Sequence, residues 1–107
     1  MASDILSTEI LLEAYRSGAF PMAEDRNSSE LFWVNPQERG VVPLDRFHIS
    51  RSLARQLRKE QHQIKINHDF DAVIAGCAAR DDTWISADIQ RAYRRLFEIG
   101  HVHTTEV

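Results

Sequence analysis

The residues of this chain whose types and spacing could do chemistry gather between Arg46 and Lys59. Five of the thirteen Lys/Arg residues fall in that stretch, and none of the sixteen Asp/Glu. The rest of the chain sets eight cations against sixteen carboxylates, so a net charge of −3 becomes −8 outside it. At about 3.6 residues per turn, Arg51, Arg55, Arg58 and Lys59 share one helical face. Leu53 and Leu57 fall opposite, where they are expected to pack on a core. Cations concentrated against the general trend suit the phosphates of a polyanion. Arg51 would stand in the first turn, where the helix macrodipole disfavours positive charge, which points to a partner as its reason. From the residues alone a second reading stays open: a solvated face that keeps the chain soluble.

Other reactive residue types are less promising. Cys77 sits on the apolar face of a helical pattern and reads as a buried structural thiol, not a nucleophile. His101 and His103 would point the same way on a strand, but no Cys or carboxylate stands at metal-ligand spacing, and no metal is expected. Asp81-Asp82 is too short and exposed to argue for Mg²⁺. Arg91, Arg94 and Arg95 read as a solvated helix face. The sequence has no Gly-rich phosphate loop and no hydrolase motif, so no cofactor is expected. Two apolar features could shape a pocket: the corner Gly18 to Met22, and Trp84 in the loop after Asp82.

The elements that must position these groups follow from caps and periodicity. Ser7 can cap a helix to about Ser17, with Ile10, Leu11, Ala14 and Tyr15 on one face and Gly18 as terminator. Residues 23–30 read as a polar loop. Leu31 to Val34 is a short strand closed by Asn35-Pro36, and Val41 to Leu44 a second one, with Pro43 marking an edge. Ser50 caps the basic helix. Gln63 to His68 alternates strictly and reads as a half-buried strand. Asp69 caps a helix with Phe70, Val73, Ile74 and Cys77 on its apolar face. Ser86 caps the strongest helix, about 87–99, with Ile89, Ala92, Tyr93, Leu96 and Phe97 inward. The stretch from His101 to Val107 begins a final strand, which needs a partner and finds its candidate in 63–68. The class is mixed α/β (α+β). Length and composition fit a globular protein, and no apolar run approaches a membrane span. The start, Met1 to Ser7, lacks the pattern of a secretory leader. A single cysteine fits a reducing, cytoplasmic setting.

Read in order, these motifs resemble those of a known family. Ala14-Tyr15-Arg16-Ser17-Gly18-Ala19-Phe20-Pro21-Met22 is similar to the early motif of the bacterial leucyl/phenylalanyl-tRNA–protein transferases. Phe32-Trp33-Val34-Asn35-Pro36, the stretch from Arg39 to Leu44 and that from Phe47 to Leu53 follow in the family's order. So do Phe70 to Ala78, Thr83-Trp84-Ile85, Ala92-Tyr93 and Gly100 to Val107. The likeness covers nearly the whole chain.

The resemblance implies a cytoplasmic aminoacyltransferase. It would move Leu or Phe (also Met) from aminoacyl-tRNA to acceptor proteins with N-terminal Arg or Lys, marking them for N-end-rule degradation. It also implies a small N-terminal α/β domain, residues 1–61, and the first β-α-α-β portion of an N-acetyltransferase-like domain, residues 62–107. Arg51, Arg55, Arg58 and Lys59 fall where the family has basic residues for the tRNA acceptor stem. Trp84 matches a Trp near the bound 3′ adenosine and aminoacyl group. Met22 matches a nearby site where other members have Trp. The family's later glycine-rich strand and the segments linked to amide formation have no counterpart here, so no catalytic residue is assigned and the chain is expected to bind better than it reacts. The alternative is a stand-alone RNA-binding module. Self-association through an exposed sheet edge is also expected.

Overall fold

A computed structural model of the chain describes residues 6–59 and 61–107. The first five residues, read above for a leader, lie outside the described residues. The element order is α1 (Thr8–Arg16), β1 (Phe20–Ala23), β2 (Leu31–Val34), α2 (Arg51–Arg58), β3 (Lys65–Ile66), α3 (Phe70–Ala78), α4 (Ala87–Glu98) and β4 (Thr105–Glu106). Strands β1 and β2 pair antiparallel, as do β3 and β4, giving the mixed α/β class expected.

The helices start and stop where side-chain chemistry dictates. Ser7, Ser50, Asp69 and Ser86 each accept a backbone N–H from three residues ahead, satisfying a donor that the first turn leaves open. Helix α1 ends in a Schellman turn: Gly18, at φ +90, lets Ala19 donate to the Ala14 carbonyl at 2.8 Å and Gly18 to that of Tyr15 at 3.1 Å. Gly100, at φ +85, repeats the device after α4, with His101 donating to Leu96 at 2.9 Å. Both glycines hold a left-handed conformation that a side chain would strain.

One apolar core joins the two ends of the chain. Leu6 and Leu11 from the α1 region, Ala23 from β1, and Ile89, Ala92 and Leu96 from α4 are buried together. Arg95 reinforces this contact by donating to the Leu6 carbonyl at 3.0 Å, and the hydroxyls of Tyr15 and Tyr93 are hydrogen-bonded to each other. Burial raises the Tyr93 phenol well above its usual range, with the Tyr15 hydrogen bond adding to it. Against the other side of α4, the Phe70 ring of α3 stacks on Phe97 at a centroid distance of 4.7 Å.

The β3–β4 pair is where 63–68 was expected to meet the final strand, in the register Lys65↔Glu106 and Ile66↔Thr105. Its corner is held by side chains. The Glu106 carboxylate accepts from the Asp69 N–H at 3.1 Å, the Thr104 hydroxyl at 2.9 Å and the His68 N–H at 2.9 Å. Asn67, at φ +58, accepts the Thr104 N–H through its side-chain oxygen and meets His103 Nδ1 through its side-chain nitrogen. The hydrogen bonds to Glu106, led by the Asp69 N–H, hold its carboxyl below the usual carboxylate range. A group whose folded pKa is depressed stabilises above its unfolded pKa, and that contribution is lost as pH falls through the folded value. Glu106→Gln should therefore lower the unfolding temperature near neutral pH, and the gap from the parent should close as pH falls below the usual carboxylate range. A gap that stays constant across that range in thermal unfolding would refute this role.

Four local expectations are corrected. Val41 to Leu44 forms no strand: Pro43 lacks a donor, no neighbouring strand pairs with the segment, and Leu44 is 94% exposed. The 63–68 strand contracts to Lys65–Ile66 and is exposed, not half-buried, since no layer covers it among the described residues. Leu53 and Leu57 do not pack on a core; they are 44% and 53% exposed, because α2 buries none of its residues. Cys77 is exposed, not buried, because α3 buries only Phe70 and Ala78.

Candidate functional site

The apolar corner at Gly18 to Met22 becomes β1, and its alternation sorts the side chains. Pro21 and Ala23 point inward, while Phe20 and Met22 occupy the half-buried face. The segment expected as an apolar corner is a strand because β2 pairs with it, and Pro21 is tolerated since a two-stranded pair always has a free edge. The register sets Met22 opposite Phe32 and Phe20 opposite Val34, so these four side chains share one face of the hairpin.

Trp84 reaches that face from the other end of the chain. The Ala23 N–H donates to the Trp84 carbonyl at 3.1 Å, fixing the 81–85 loop against the end of β1. Thr83 is buried, and its hydroxyl accepts the Ile85 N–H at 3.2 Å, which sets the turn that presents the indole. The Trp84 ring lies 6.3 Å from that of Phe20, tilted by 51°. It remains 37% exposed.

The result is a cleft of about 380 Å³ walled by Met22, Phe32 and Trp84 and rimmed by Glu24, Arg80, Asp82 and Thr83. Thus Met22 and Trp84, singled out from the sequence, line one cleft. Phe32, expected as a strand and motif residue without a site role, joins them because the pairing of β1 with β2 sets it opposite Met22. On its far side Trp84 also borders a second, wholly apolar groove of about 180 Å³ with Val73, Ile74 and Cys77.

The basic helix is a separate surface. Ser50 caps it, accepting the Leu53 N–H at 3.1 Å, and Arg51, Arg55, Arg58 and Lys59 are all exposed. None of the four pairs with a carboxylate among the described residues, and none lines the Met22–Trp84 cleft. The contrast with α4 is instructive. There Arg91 pairs with Asp88, while Arg94 donates to Glu98 at 3.0 Å and to Asp71 at 2.5 Å, which raises its already high pKa. On α4, Arg91 and Arg94 are paired with carboxylates, whereas the arginines of α2 have no carboxylate partner among the described residues.

Comparison with known proteins identifies the family. The family described as leucyl/phenylalanyl-tRNA protein transferase matches residues 41–107, and the N-terminal domain of the same transferases matches residues 4–37. A "Leucyl/phenylalanyl-tRNA--protein transferase" of Ruegeria sp. (strain TM1040) is 50% identical over 102 residues, 95% of this chain and 49% of its own length. Its namesake in Ruegeria pomeroyi is 51% identical over the same share of each chain. That of Cereibacter sphaeroides is 49% identical over all 107 residues, 50% of its own length. The chain spans about half the length of the curated relatives it matches. With both family models matched and half of all aligned residues shared along the whole chain, it belongs to the leucyl/phenylalanyl-tRNA–protein transferase family.

Proposed function

We propose that this chain is the aminoacyl-tRNA-holding part of a transferase that moves Leu or Phe from its tRNA to proteins beginning with Arg or Lys. The basic face of α2 would lie along the acceptor-stem phosphates, a positioning contact that carries no sequence information. The Met22–Trp84 cleft would take the 3′ adenosine and its aminoacyl ester, the indole serving as a stacking platform and the thioether adapting to the apolar side chain. The observation that carries this reading is the convergence of Met22 and Trp84, distant in sequence, on one cleft through the Ala23–Trp84 hydrogen bond. Charged tRNA is a cytoplasmic substrate, and among the described residues no helix is long and apolar enough to cross a membrane. The division into a small N-terminal domain ending near residue 61 and an acyltransferase-like portion after it is part of the same proposal.

Aminoacyl transfer needs an unprotonated amine held against the ester carbonyl, with donors for the developing oxyanion. We assign no such set within these 107 residues. The test is transfer of labelled Phe from charged tRNA to a peptide starting with Arg, with tRNA binding measured in parallel. Binding without incorporation is expected. Incorporation above a protein-free control would place the catalytic groups within this chain, and absence of binding would overturn the reading.

A further inference from the structure

We infer that Phe32 is a base-stacking residue of the Met22–Trp84 cleft, an assignment that rests on the proposed tRNA reading and extends it to a side chain outside the motif pair. The geometry singles it out. Phe32 stands directly across from Met22 in the hairpin register, on the same face, and both line the cleft with Trp84. Its ring is 49% exposed. The hairpin's inward face carries Pro21 and Ala23 instead, so Phe32 contributes nothing to the buried core. A half-exposed aromatic ring outside the buried core, lining one cleft with a partly exposed indole, offers a second π-face to the same ligand.

The cleft's chemistry selects the kind of ligand. Its volume of about 380 Å³ is at the low end of small-molecule sites, enough for one nucleoside-sized group and too little for a peptide helix. Its rim carries two carboxylates, Glu24 and Asp82, against the single guanidinium of Arg80. A phosphate would meet net negative charge there, whereas a neutral base meets aromatic walls. The phosphates are therefore left to the basic helix and the base to Phe32 and Trp84.

The experiment uses a short RNA ending in C-C-2-aminopurine, whose fluorescence is quenched when the terminal base stacks. With the parent chain, binding should quench the probe. Phe32→Leu, which keeps apolar bulk and removes the ring, should weaken binding at least about five-fold and relieve the quench, while Phe32→Trp should keep both. Unfolding temperatures of the two variants should stay near the parent's, since the side chain lies outside the core. If Phe32→Leu binds and quenches like the parent while Trp84→Leu does not, Phe32 has no stacking role and the tRNA reading stands without it. If neither variant changes the signal, or the parent fails to bind the probe, the cleft does not hold the base and both assignments fall.

Discussion

Alanine at Arg51, Arg55, Arg58 and Lys59 together should flatten the salt dependence of tRNA binding by about four in the slope of log K against log salt, near one per lost phosphate contact. The expectation follows from what the four cations do not do: among the described residues none spends its charge on a carboxylate. Binding to RNA releases condensed counterions in proportion to the phosphates neutralised, so each lost cation removes roughly one unit of slope and weakens binding most at low salt. The companion variant replaces Arg91 and Arg94, whose guanidiniums are paired with Asp88, Asp71 and Glu98. It should leave the slope nearly unchanged. A salt titration of labelled tRNA binding reads both. Equal slopes for the parent and the fourfold variant would reduce the basic face of α2 to a solubilising surface. The fold should survive the fourfold change, because α2 buries none of its residues.

The largest stability effect is expected at Leu96→Ala, about 2–5 kcal/mol by the usual cost of emptying a buried leucine site. Leu96 is 1% exposed and lies in the cluster with Leu6, Leu11, Ala23, Ile89 and Ala92. That cluster connects the first helix to the last. A loss of this size is a large share of the roughly 5–15 kcal/mol that a domain has in total, and the variant should unfold at far lower denaturant. Because β1 packs on the same core and carries Ala23, whose N–H holds the Trp84 carbonyl, base binding in the cleft should fall in parallel. Leu57→Ala makes the contrast: the side chain is about half exposed on a helix with no buried residue, so its stability should change by less than about 0.5 kcal/mol. Denaturant melts of the two variants decide the matter, and similar losses at both positions would mean that α2 is packed after all.

The elements whose signals are local were legible in the sequence. Ser7, Ser50, Asp69 and Ser86 cap helices where their side chains predict, and Gly18 and Gly100 end two of them, because caps and left-handed turns depend only on a few neighbouring residues. The segregation of charge onto α2, the apolar stripe of α4 and the pairing of the final strand with the 63–68 segment were legible for similar reasons. Tertiary structure decided everything that requires a distant partner. An apolar side chain is buried only if a second layer covers it, so Leu53, Leu57 and Cys77 carried the right pattern and stayed exposed. Val41 to Leu44 had strand-forming residues but no neighbouring strand to complete a ladder. Conversely, β1 exists because β2 pairs with it, despite Gly18 and Pro21. The cleft itself could not be read from spacing: one backbone hydrogen bond from Ala23 to Trp84 sets the indole beside Met22, and only the hairpin register adds Phe32 to them.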